Sequence, residues 1–341
     1  MTEILVTSTS FESACREACE LLTSKGYKIR ANGTGKPMEG EVLRSALAGC
    51  AGVIAGLDHF SVDVIEGCPD LRVISRYGVG VDRVDLEAAT EAGVVVACTP
   101  GANTDAVADL AFALMLACAR RIVEADQLTR RGQWPKLYGR AVSGKTIGIV
   151  GVGSIGRAVA RRAVGFDARV LLYDILPDEE FAQSIGAEFV ELDMLIQSSD
   201  FVSIHVPLSD TTEGLIGARE LSMMKPSAYL VNTARGGVVD EDALVRALRN
   251  GTIAGAGIDV YSEEPPIDNE LLKMKNVVAT PHMGSYTYEA LANMGMMAVV
   301  NLIDVLEGRR PEHVANPEVY RYLLSQGGSE CGQDSSRNSR I

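Results

Sequence analysis

Two doubly wound α/β domains, each built on an open parallel sheet, are predicted by three observations on this 341-residue chain. Short apolar runs rich in β-branched residues alternate with helix-like stretches over residues 3–99. The alternation resumes over residues 145–279. Between the two series lies the breaker cluster Thr99-Pro100-Gly101-Ala102-Asn103-Thr104, a candidate domain boundary. Alternating β and α segments at this spacing build parallel sheets with helices on both faces.

In the first series, residues 4–6, 53–55, 73–75 and 94–96 read as short buried strands. Helices are expected near residues 12–25, 41–49, 61–67 and 85–92. After the third of these strands comes Arg76-Tyr77-Gly78-Val79-Gly80-Val81-Asp82. There Gly78, Val79 and Gly80 either expose N–H groups that hold a carboxylate at the ligand side of the sheet or form an ordinary glycine turn. One long helix is expected over residues 105–131, with Ala108, Ala111, Leu114, Met115 and Cys118 on one face. Gln133-Trp134-Pro135 ends it.

The second series opens on an apolar strand at residues 145–150, followed by Gly151-Val152-Gly153-Ser154-Ile155-Gly156. Val159, Ala160 and Ala163 then recur at helical spacing. In this strand–turn–helix context each glycine has a role. Gly151 takes the tight turn, Gly153 has no Cβ to block a pyrophosphate, and Gly156 lets the helix pack against the strand. The helix start presents free N–H groups and the positive end of its dipole to phosphate. A lone glycine fingerprint is weak evidence, but Asp174 adds a second signal. It ends the next strand 174 − 151 = 23 residues after Gly151, close to the ~20 expected for a ribose-binding acid. A carboxylate there accepts hydrogen bonds from ribose hydroxyls and repels a 2′-phosphate, so the cofactor is read as NAD rather than NADP.

Further strands are expected at residues 201–206, 228–232, 255–259 and 277–279, with helices at 192–198, 218–223 and 240–249. A last helix over residues 286–308 carries Leu291, Met294, Met297, Val300 and Leu302 and is expected to return to the first domain. Residues 326–341 have almost nothing to bury and read as a disordered tail.

Composition narrows the function classes. Hydrophobic content of 47% supports real cores, and the net charge of −13 without a basic block argues against a nucleic-acid partner. The start lacks the features of a signal peptide, and the apolar run at residues 110–119 is too short to span a bilayer. A membrane partner is therefore not expected. Seven cysteines are scattered without a Cys-x-x-Cys, and the four histidines form no cluster with them. Reduced thiols in a cytoplasmic protein, with no metal site, is the reading that follows.

Three polar residues follow consecutive strands of the second series. Arg235 stands in Asn232-Thr233-Ala234-Arg235-Gly236-Gly237, Glu264 in Asp259-Val260-Tyr261-Ser262-Glu263-Glu264-Pro265, and His282 in Thr280-Pro281-His282-Met283-Gly284-Ser285. Loops after parallel strands converge on one edge. A cation, a carboxylate and an imidazole beside a nicotinamide suit hydride transfer to an anionic carbonyl substrate.

With these motifs the chain resembles the D-isomer-specific 2-hydroxyacid dehydrogenases, in their phosphoglycerate-dehydrogenase-like branch, over residues 73–317. The resemblance implies Arg235, Glu264 and His282 as the catalytic set, spaced 264 − 235 = 29 and 282 − 264 = 18 residues. It implies cofactor contacts from Ser154, Ile155, Pro207, Thr233, Ala234 and Asp259, beside Gly151, Gly153, Gly156 and Asp174. It implies a Rossmann NAD-binding domain at residues 100–286 and a flavodoxin-like substrate domain split into residues 1–99 and 287–325. The expected substrate is a small 2-oxo or 2-hydroxy acid, held by Gly78, Val79, Gly80, Arg235 and His282, and the expected assembly is a homodimer. His282 serves as acid and base, and Glu264 orients its ring. Residues 56–60 hold no Arg or Lys where phosphoglycerate dehydrogenases often carry an arginine, so the substrate stays open. The rival readings are an NAD(H)-sensing corepressor-like member of the same superfamily and a formate or phosphite dehydrogenase.

Overall fold

The computed structural model describes residues 2–325; the expected disordered tail at 326–341 lies outside them. The chain divides into two compact units. One takes the residues up to Asn103 and those from Thr287 onward, and the other is Thr104–Tyr286. The first junction falls after residue 103 rather than 99, because the Thr99 N–H bonds the Gly78 carbonyl and keeps the breaker cluster with the first sheet.

The first unit holds five strands: β1 (Glu3–Val6), β2 (Lys28–Ala31), β3 (Cys50–Ala55), β4 (Val73–Arg76) and β5 (Val95–Ala97). Their order is β2-β1-β3-β4-β5, and every pairing is parallel. This is the flavodoxin-like order. Strand β2 was not expected from the sequence. It is an edge strand with exposed and half-buried residues, so it carries no apolar run. The expected helix at 12–25 breaks at Cys15 into Phe11–Ala14 and Arg16–Ser24. On one sheet face Leu5, Val53 and Ile74 are buried; on the other, Ile4, Val6, Ile54 and Val73. The helix Tyr288–Leu306 is apolar and long enough to cross a membrane by composition alone. Ala298, Val299, Leu302 and Ile303 of this helix are instead buried in the same cluster as Ile4 and Ile54.

The second unit holds β6 (Thr146–Val150), β7 (Arg169–Tyr173), β8 (Glu188–Phe189), β9 (Phe201–Ile204), β10 (Tyr229–Asn232), β11 (Gly255–Ile258) and β12 (Val277–Ala279). Their order is β8-β7-β6-β9-β10-β11-β12. The order reverses between β6 and β9, and the parallel pairings bring all strand C-termini to one edge. Ligands bind at such a switch point in open α/β sheets.

The single helix expected over residues 105–131 is two, Thr104–Ala119 and Ile122–Arg130. Arg121 between them takes a left-handed φ of 52° and ends the first ladder. The first helix packs Ala108, Ala111, Leu114 and Met115 into the core, whereas the second buries nothing. The structure adds short helices at Glu179–Ile185 and Val319–Ser325 and the edge strand β8 to the elements expected from the sequence.

Candidate active site

The glycine turn after β6 has the geometry its sequence demands. Gly151 takes φ +93°, and a Cβ there would lie 2.7 Å from the His205 carbonyl carbon. A Cβ on Gly156 would meet the Gly151 carbonyl oxygen at 2.0 Å, so the helix Ser154–Val164 can sit on the turn only with glycine here. A Cβ on Gly153 would meet nothing within 4 Å, which leaves open space before the helix N-terminus. Ile155 is half-buried in the first turn of that helix, beside exposed Ser154.

Asp174 stands one residue past β7. Its Oδ2 accepts the Val152 N–H at 2.7 Å, and its Oδ1 accepts the Leu176 N–H at 2.9 Å. Arg157 ties the same region together. Its Nε donates to the Val152 carbonyl at 3.1 Å, and its Nη1 meets Asp178 Oδ2 at 2.8 Å. No local pattern singled out Arg157; only the fold brings it to both loops.

His205 lies just past β9 rather than in the strand, with Nε2 2.8 Å from the Ser203 hydroxyl. Burial pushes its imidazole down to about 3, so the ring is neutral at physiological pH. Pro207 follows in an exposed loop, where its carbonyl accepts from the Thr212 hydroxyl at 2.6 Å.

After β10, the buried Asn232 shapes the loop that presents Arg235. Its Oδ1 accepts the Ala234 N–H at 3.0 Å, and its Nδ2 donates to the Arg235 carbonyl at 2.8 Å. Asn at a strand end closes such turns, and that is the signal that could have marked it. Arg235 Nη1 donates to the Ala234 carbonyl at 2.7 Å. Thr233 is buried, and its Oγ1 has no hydrogen-bond partner among the described residues.

The loops after β11 and β12 are joined. Glu264 faces His282, with Nδ1 of the ring 2.8 Å from Oε2 and 3.0 Å from Oε1. His282 Nε2 makes no hydrogen bond among the described residues and is left for another partner. His282 takes a left-handed φ of 50°, uncommon outside glycine. Asp259 holds the loop in that shape. Its backbone carbonyl accepts the His282 N–H at 2.8 Å. Its carboxylate accepts the Thr280 hydroxyl at 2.6 Å and the Met283 and Gly284 N–H groups at 2.9 Å each. Asp259, read from the resemblance as a cofactor contact, thus has three of its lone pairs turned to its own chain. Tyr261 links the same two loops, its phenol donating to the Thr280 carbonyl at 3.2 Å. Burial first, then the carboxylates of Asp259, Glu241 and Glu264, push this phenol up to about 12.

Arg235, Glu264 and His282 therefore all stand beyond the C-terminal ends of β10, β11 and β12. Gly78, Val79 and Gly80 belong to the other unit, in the loop after β4, where the buried Arg76 Nε donates to the Gly80 carbonyl at 3.0 Å. No group of three or more His, Cys, Asp or Glu able to hold a metal exists among the described residues.

A family model described as the D-isomer-specific 2-hydroxyacid dehydrogenase NAD-binding domain matches residues 112–284. The chain belongs to the D-isomer-specific 2-hydroxyacid dehydrogenases. Glyoxylate reductase of Thermococcus litoralis is 46% identical to this dehydrogenase over 292 residues, covering 83% of the chain and 88% of the relative. Glyoxylate reductase of Thermofilum pendens is 44% identical over 317 residues, covering 91% and 92%. Among solved structures, a protein of Thermus thermophilus superposes with a TM-score of 0.83 at 39% identity, covering 92% of this chain and all 100% of its own. A glyoxylate reductase from Paecilomyes thermophila superposes at 0.81 with 31% identity, covering 93% and 99%. The enzyme is an NAD-dependent oxidoreductase of small 2-hydroxy and 2-oxo acids. Its own residues fit that cofactor: open space at Gly153, a helix N-terminus at Ser154, a carboxylate at Asp174 and an orphaned hydroxyl at Thr233.

Proposed function

We propose that this dehydrogenase reduces glyoxylate, or a 2-oxo acid of similar size, with His282 as the proton donor. The observation that carries the reading is the His282–Glu264 pair, which occupies Nδ1 and leaves Nε2 open. NADH supplies the hydride when bound. His282 holds a proton at Nε2 and passes it to the substrate's carbonyl oxygen; in oxidation the same nitrogen takes the hydroxyl proton. Glu264 fixes the ring and its tautomer through Nδ1. Arg235 offers the substrate carboxylate a planar pair of donors that lysine cannot reproduce. The glyoxylate reductases at 44–46% identity support a small substrate.

A homodimer is part of the reading. The helix Ile122–Arg130 buries nothing in its own chain, and Ile122, Val123, Trp134 and Tyr138 are 53, 44, 80 and 87% exposed. Apolar surface gathered in one segment suits a second copy. All six cysteines among the described residues are free thiols, which suits a reducing, cytoplasmic compartment.

The test is NADH oxidation against glyoxylate, hydroxypyruvate, pyruvate, 2-oxoglutarate and phosphohydroxypyruvate. Glyoxylate is expected to give the highest kcat/KM. A preference for phosphohydroxypyruvate, or no turnover of any member, overturns the assignment.

A further inference from the structure

We infer that Glu241 is a positioning residue for this reaction: it grips both ends of the loop that carries Glu264 and acts on His282 only through Glu264. The inference rests on the acid–base role proposed above for His282.

Glu241 opens the helix Glu241–Arg249, which Asp240 caps by accepting the Ala243 N–H at 2.8 Å. Ala243, Leu244, Ala247 and Leu248 bury one face of that helix, so the Glu241 carboxylate stands on a fixed support. Its Oε1 accepts the Ser262 N–H, and its Oε2 accepts from Asn269 Nδ2 at 2.7 Å. Those two contacts bracket Glu264. Between them Glu263, Pro265, Ile267 and Asp268 are exposed and lend the loop little inward packing. Asn269 is itself held, its Oδ1 accepting the Leu271 N–H at 2.9 Å. At the loop's start, Gly236 packs so close that a Cβ would lie 2.0 Å from the Tyr261 carbonyl carbon.

Neither of these two bonds of Glu241 reaches a reacting group. Its effect comes from geometry, because a carboxylate orients an imidazole only while held within hydrogen-bond reach. The titratable and charged groups around the loop are Asp259 just past β11, Tyr261 at the loop's start, Glu263, Glu264 and Asp268 within it, and His282 opposite. Arg235 precedes the Gly236 turn, and the Arg249–Glu270 pair lies at the far side. Charge and positioning effects therefore have to be separated by experiment.

The experiment follows the His282 Nδ1 hydrogen bond by NMR at one fixed pH in the full-length chain carrying 15N-labelled histidine, together with the kinetics of glyoxylate reduction, in wild type, Glu241→Ala, Glu264→Gln and the double variant. Glu264→Gln is expected to move the His282 Nδ1 resonance and to lower kcat about tenfold. Glu241→Ala should move the same resonance in the same direction and lower kcat about threefold, with KM for NADH changed less than about twofold, and the double variant should match Glu264→Gln. A His282 resonance unmoved by Glu241→Ala overturns the inference. So does an equal drop in kcat in the wild-type and Glu264→Gln backgrounds, which marks a direct effect of Glu241. If Glu241→Ala loses its folded spectrum, Glu241→Gln is read the same way, since its amide nitrogen cannot accept and one of the two bonds is lost. Turnover that survives His282→Ala would overturn the proposed function and leave the NMR result standing.

Discussion

The Asp174 carboxylate accepts the Val152 N–H at 2.7 Å, so the acid at the end of β7 is fastened to the glycine turn after β6. Asp174 thus braces the glycine turn as well as standing where a ribose-binding acid is expected. NADH is expected to be used at least tenfold better than NADPH, which is ~1.4 kcal/mol in transition-state binding. Asp174→Ala should narrow that gap and raise KM for NADH as well. Equal kcat/KM for the two cofactors in the wild type would remove the assignment.

The three glycines of the turn separate folding from binding. Gly153→Ala places its methyl in open space at an ordinary φ of −69°, so stability should stay within about 0.5 kcal/mol of wild type. NADH affinity, followed by fluorescence, should nevertheless fall at least tenfold. Gly151→Ala meets the His205 backbone at a left-handed φ and should lose at least ~2 kcal/mol of stability. Equal melting losses for the two variants would contradict this division of roles.

His282→Ala should lower kcat by ~10²-fold or more while NADH binding stays nearly unchanged. Glu264→Gln keeps a hydrogen-bond acceptor on Nδ1 but removes the carboxylate, and it should lower kcat about tenfold with NADH binding again unchanged. Wild-type kcat in His282→Ala would refute the acid–base assignment.

His205 makes stability depend on pH. Its folded-state imidazole is pushed down to about 3, whereas an unfolded histidine titrates near 6.5. Below that value the unfolded chain binds a proton that the native chain does not. The contribution is therefore full above about pH 6.5 and is lost as pH falls toward 3, at up to ~1.4 kcal/mol per pH unit. Tm measured between pH 6.5 and 4.5 should fall less steeply in His205→Gln than in the wild type. Parallel slopes would show that His205 carries none of the dependence.

The central strands were legible because strands buried on both faces need continuous apolar runs, as in Ile4–Val6 and Val53–Ala55. The edge strands β2 and β8 were not, since a strand covered on one side carries no such run. The break at Arg121 was equally hidden. Apolar spacing continues toward it, and only the two-residue turn Arg120–Arg121, the second residue left-handed, separates a buried helix from an exposed one.

The sequence by itself determined two parallel-sheet units, the glycine turn with Asp174, and Arg235, Glu264 and His282 after successive strands. Each of these follows from local rules: steric demands on glycine, periodic burial, and the convergence of loops after parallel strands. Only the tertiary structure decided which groups touch. It set His282 at a φ of 50° against Glu264, turned the Asp259 carboxylate onto residues 280–284, and brought Glu241 to Ser262 and Asn269. Those contacts join residues 18 to 28 positions apart, and their distances depend on where neighbouring strands end in the assembled sheet. A sequence pattern carries the chemistry of each side chain; the register of the whole sheet carries its partner.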